Sequence, residues 1–147
     1  MSERDQRCLV FHGAVIFMAA NLAGLPFAQA IAGGWGEEAV RAWRVAHTGL
    51  ASAGLMLMVV GAVLRHVVLG QRAGDTLRRA FLAAGYGSLG LVLGAAAGVR
   101  GLEPVGPAVN LLVVASNTVL GLGAFLGTAL LIRGAWAGYL AVRQEQA

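Results

Sequence analysis

The chain has 147 residues, 58% of them hydrophobic and 12% charged, and its mean hydropathy is +0.72. That balance excludes an ordinary soluble domain and, with four apolar stretches near the roughly 20 residues that a bilayer-crossing helix needs, predicts an all-α integral membrane four-helix bundle. The formal net charge is +4 and all eleven basic residues are arginines, but no basic stripe interleaved with aromatics is present, which argues against a nucleic-acid partner.

The first span is expected over residues 8–32, after Arg4 and Arg7. It contains Gly13, Gly24 and Pro26 and stops at the glycine pair in "AGGWG". Its run "CLVFHGAVIFMAANLAGLPFAQA" ends in an A-x-A that resembles a signal-peptidase site after Ala30. Against cleavage, the apolar part exceeds the roughly 7–15 residues usual in such a region, and the leader "SERDQR" holds two acids. The second span is expected over 45–64, behind an outer loop flanked by Trp35 and Trp43, aromatic residues suited to headgroup depth. "RHVVLGQRAGDTLRR" reads as a short, basic inner loop, which makes spans two and three antiparallel neighbours.

The third span is expected over 80–99, the fourth over 109–132, with the Gly- and Pro-rich "GVRGLEPVGPA" turning between them. Gly90, Gly94 and Gly98 form a four-residue ladder on span three, and Gly123 with Gly127 repeat the spacing on span four. Such small faces bring helix backbones together in lipid, inside one bundle and between subunits. Eight arginines (4, 7, 65, 72, 78, 79, 133 and 143) fall on one side of the four spans. On the other, Arg41, Arg44 and Arg100 are matched by Glu37, Glu38 and Glu103, so the positive-inside rule puts both termini in the cytoplasm and the chain in the cytoplasmic (inner) membrane.

No Asp, Glu or Lys lies in the apolar stretches, which weakens a proton-coupled transporter or a carboxylate enzyme. The single Cys8 allows no intrachain disulfide, and Cys8 with His12 lacks a third group to orient it for nucleophilic chemistry. His66 reads as a rim residue beside Arg65, and His12 as a structural hydrogen bonder. His47 is different. Arg44 and Trp43 precede it by three and four residues and share its helix face. A neutral imidazole there suits an axial iron ligand, Arg44 suits a haem propionate, and Gly49, Ala51, Ala53 and Gly54 leave room for a flat macrocycle. Spacing alone leaves open the plainer reading of His47 as an interfacial hydrogen bonder.

"FHGAVIFMAANLAGLPFAQAIAGGW" followed by "RAWRVAHTGLASAGLMLMVVGAVL" resembles the styrene oxide isomerase family, best over residues 11–64. The shared features are a His-Gly opening in span one, a Gly-Gly exit and Trp-x-x-x-His-x-Gly at the start of span two. The resemblance implies a homotrimer in the lipid bilayer that carries haem b, with His47 as the metal ligand, and that isomerises a small apolar epoxide to a carbonyl. The chain departs from the family at three polar positions. The family's Asn six residues after the ligand histidine is Ala53 here, and its span-three Asp and Tyr fall on Ala84 and Val92. Tyr86 and Asn117 are the groups left to take catalytic roles if they face the same chamber. Two further readings stand beside this one: a non-catalytic haem-binding sensor, store or electron carrier, and a haem-free oligomeric membrane protein held by its glycine ladders.

Overall fold

Ser2 starts the first helix, α1 (Glu3–Ala32): its hydroxyl accepts from the Asp5 amide while the Asp5 carboxylate accepts the Ser2 amide, a reciprocal cap. In a computed structural model that describes residues 2–145, every regular element is helical. Pro26 removes one ladder bond without ending α1, a cost that neighbouring helices offset in membrane proteins. Gly34 and Gly36, at φ of 64° and 90°, then turn the chain into α2 (Glu37–Val63), a conformation that a side chain would strain. One 3₁₀ turn, Leu64–His66, closes that span.

The third span is two helices in line, α3 (Gln71–Gly87) and α4 (Leu89–Ala97), and the fourth is α5 (Ala108–Glu145). At the junction the buried Ser88 turns its hydroxyl back onto the Gly85 carbonyl at 2.6 Å, so side chain and backbone compete for the same acceptors. Helix α3 begins at Gln71, well inside the stretch that its polarity marks as loop. Its Gly74, Leu77, Ala80 and Phe81 recur at helical spacing and are all buried, and this apolar stripe extends the helix. Four helices, Glu3–Ala32, Glu37–His66, Gln71–Ala97 and Ala108–Gln144, are long and apolar enough to cross a membrane.

Helices alternate in direction, and contacts at both ends show it. At the end that carries both termini Arg78 of α3 pairs with Asp5 of α1 at 3.2 Å, and the Val68 amide donates to the Gly134 carbonyl of α5 at 3.0 Å. At the opposite end Arg100 pairs with Glu38. Helices α1 and α2 make the tightest seam. A methyl group on Gly13 would lie 2.7 Å from the Gly54 carbonyl oxygen, and one on Gly61 2.9 Å from that of Gln6. Leu9, Ile16, Leu50, Leu57 and Leu77 fill the core between these helices and α3. Lipid tails are as apolar as leucine, so close packing rather than water exclusion favours this arrangement.

The glycine ladders work inside the bundle. Gly90 packs on Ser116 and Gly94 on Val113 across the α4–α5 seam, while Gly123 fits over Ala80 and Ala84 and Gly127 over Phe81 across the α3–α5 seam. Gly98 has another role, ending α4 at φ 66°.

Candidate functional site

His47 lies at the end of the third turn of α2, half-buried against α1. Its Nδ1 is 2.9 Å from the Ala20 carbonyl oxygen. A carbonyl only accepts, so Nδ1 carries the proton, and in this tautomer of the uncharged imidazole the lone pair is on Nε2. Nε2 has no hydrogen-bond partner among the described residues and is not one of the buried orphaned atoms. One ring nitrogen tied to a backbone carbonyl and the other left free is the arrangement a metal-ligating histidine takes.

Three α1 residues one turn apart shape the pocket for the ring. Ala20 supplies the carbonyl, Gly24 the space, since a methyl there would lie 3.3 Å from Nδ1 and Cε1, and Phe27 stacks on the imidazole with centroids 6.0 Å apart and planes 21° apart. Arg44 lies one turn towards the outer end of α2, exposed, with its guanidinium carbon 6.0 Å from the centre of the Phe27 ring. His47, Phe27 and Arg44 thus form one continuous patch: a lone-pair donor, an aromatic floor and a cation. Phe27 and Gly24 are not singled out by sequence patterns. The signal is there, three residues apart in "GLPF", but it acquires meaning only once the register of α1 against α2 is known.

The other expected site residues lie elsewhere in the chain. The Tyr86 hydroxyl is 2.6 Å from His12 Nδ1, and the two rings meet edge to face. His12 precedes Ala20 by eight residues, so this pair lies about 12 Å along α1 from the level of His47. Asn117 is on α5, and its Nδ2 donates to the Gly101 carbonyl at 3.2 Å while its Oδ1 is buried without a partner. Within one chain, therefore, Arg44 joins His47 while Tyr86 and Asn117 do not. Among the described residues no three His, Cys, Asp or Glu side chains gather in one place where they could hold a metal ion.

A family model described as styrene oxide isomerase matches residues 5–136. The chain belongs to the styrene oxide isomerase family. Compared with curated proteins and with solved structures, it matches none. The family match runs from the first turn of α1 far into α5, well beyond the stretch whose motifs carry the resemblance by eye. It includes Ala53, Ala84 and Val92, the positions where the resemblance implies polar residues in the family. Ala84 is buried beneath Gly123 of α5, and Ala53 and Val92 pack against the apolar core. A polar side chain at any of these three would have to be satisfied inside the bundle, and alanine or valine removes that demand.

Proposed function

We propose that this styrene oxide isomerase family member binds haem b through His47 Nε2 and converts a small apolar epoxide to a carbonyl compound without net redox change. The observation that carries the reading is the fixed tautomer of His47: Nδ1 donates to Ala20, and Nε2 is left with its lone pair. A single imidazole is a sufficient protein ligand for an iron already held by four macrocycle nitrogens, and far too few for a bare ion. These residues fit the group. Arg44, a fixed cation one turn outward, is placed to pair with a propionate, for which a guanidinium is the best matched side chain.

When bound, haem supplies a ferric centre that acts as a Lewis acid towards the epoxide oxygen. The chain does the rest. His47 would hold the group through Nε2, with its ring kept in place by the Nδ1 hydrogen bond to Ala20. Phe27, Gly24 and Ala51 keep the surroundings apolar, which excludes the water that would otherwise turn an opened epoxide into a diol. The family's homotrimer and the inner membrane, with both termini cytoplasmic, belong to the same proposal.

The test is a spectrum followed by an assay. Purified protein from haem-replete cells should show a Soret band that shifts on reduction and disappears in His47→Ala, and membranes should convert some member of an epoxide panel to an aldehyde or ketone without consuming a reductant. Colourless protein, or a His47→Ala variant with full haem content, defeats the haem assignment. Haem without any carbonyl product would favour a second reading, a non-catalytic haem-binding protein, for which the specific observation is the apolar residue at all three of the family's polar positions.

A further inference from the structure

On the far side of α2 from His47 lies a groove of about 530 Å³ between α2, α4 and the start of α5. Val45 on its wall is two residues from His47, roughly 200° around the helix, so groove and histidine patch are separate features. The groove is a trough by construction. Small residues line it, Ala42 of α2 with Gly94 and Ala95 of α4 and the Gly98 that caps that helix, and a methyl on Gly98 would meet nothing within 4 Å. Val45, Leu91 and Val113 give it an apolar lining, to which Arg41, Arg100, Glu38 and Trp35 add charge and an aromatic ring. Glu38 is taken by Arg100, whereas Arg41 has no ion-pair partner among the described residues. One cation is left over in the lining of a largely apolar trough.

We infer that this groove holds an anionic phospholipid of the surrounding bilayer, its phosphate on Arg41 and one acyl chain along Ala42, Ala95 and Gly98. A guanidinium binds phosphate oxygens through paired hydrogen bonds, and an apolar trough between helices accepts an acyl chain. The volume suits a chain-sized ligand. A neutral epoxide would leave Arg41 unmatched, so the groove is not a second seat for the substrate.

Native mass spectrometry of the delipidated, detergent-purified protein, titrated separately with phosphatidylglycerol and phosphatidylcholine, tests this. One phosphatidylglycerol per chain should be retained, about fivefold more tightly than phosphatidylcholine, the preference expected of one interfacial arginine. Arg41→Gln should abolish the preference and Arg41→Lys should keep most of it. Glycerol phosphate, the headgroup without chains, should not bind. Equal retention of the two lipids, a preference that survives Arg41→Gln, its loss in Arg41→Lys, or binding of glycerol phosphate alone would each overturn the assignment. So would the absence of any lipid adduct, as a second copy seated on the groove would produce. The measurement reads lipid mass and needs no haem, so its outcome is independent of the His47 proposal.

Discussion

Gly24 and Ala20 decide where the His47 ring lies, and neither has a side chain that touches iron or substrate. Substituting Gly24 with Leu would drive atoms into a ring that a single methyl already approaches to 3.3 Å. The expected result is about tenfold weaker haem retention, the equivalent of one overpacked contact, measured by haem-to-protein ratio in a variant of unchanged helical content. Tyr86 makes the contrasting case. Tyr86→Phe removes its bond to His12, so it should leave the Soret band intact and lower thermal stability in detergent by about 1 kcal/mol, the scale of interhelical hydrogen bonds in membranes. An altered Soret band in Tyr86→Phe would instead bring that hydroxyl to the haem from a neighbouring subunit. The sequence makes His47 and Arg44 legible because they share one helix face and one motif. It leaves Ala20, Gly24 and Phe27 unread because they come from another helix, whose antiparallel register depends on how Gly13, Gly54 and Gly61 nest. Tyr86 and Asn117 were named for their chemistry alone, and residue type carries no information about which seam a side chain occupies.

At the level of elements, hydropathy and turn chemistry place four helices correctly, since length and apolar content are what a membrane-crossing helix requires. Where polar residues dominate, the reading is weaker. The start of α3 is hidden among Gln71, Arg72, Asp75 and Arg79, and only the buried stripe of Gly74, Leu77 and Phe81 reveals it. The glycine ladders are visible as spacing, but their partners are not: Ser116 and Val113 for one, Ala80, Ala84 and Phe81 for the other. Gly54 tests the packing argument. Its missing Cβ lets Phe17 and the Gly13 carbonyl approach to 2.7–2.9 Å of where a methyl would lie. Gly54→Val should therefore cost about 1–3 kcal/mol by forcing α1 and α2 apart, measured by thermal or denaturant unfolding in detergent. Gly121→Ala is the matched control. Nothing lies within 4 Å of its added methyl, so the change should be neutral or stabilising by up to about 1 kcal/mol through helix propensity.

For the whole molecule, the two ends differ electrostatically in a way that no single helix shows. The end that carries both termini gathers Arg4, Arg7, Arg65, Arg72, Arg78, Arg79, Arg133 and Arg143, and among the described residues only Arg7 and Arg78 are held in ion pairs there, with Glu3 and with Asp5 and Asp75. The outer end balances three arginines against three glutamates, and Arg100 is tied to Glu38 across 62 residues of chain. Because the helices alternate in direction, as the Asp5–Arg78 and Glu38–Arg100 contacts require, both termini share the arginine-rich end. Arginine is retained on the cytoplasmic side during insertion, so a fluorescent protein fused at the C-terminus should fold and fluoresce, and alkaline phosphatase fused at the same point should be inactive. Fusion of the phosphatase after Gly101, in the outer loop, should reverse the result. An active C-terminal phosphatase would invert the molecule and put His47, Arg44 and the lipid groove at the cytoplasmic face. The orientation matters for the proposed chemistry, because His47 lies near the end of the bundle opposite the termini: a cytoplasmic C-terminus in this test would put the proposed haem, and the entry of its apolar substrate, in the half of the bilayer away from the cytoplasm.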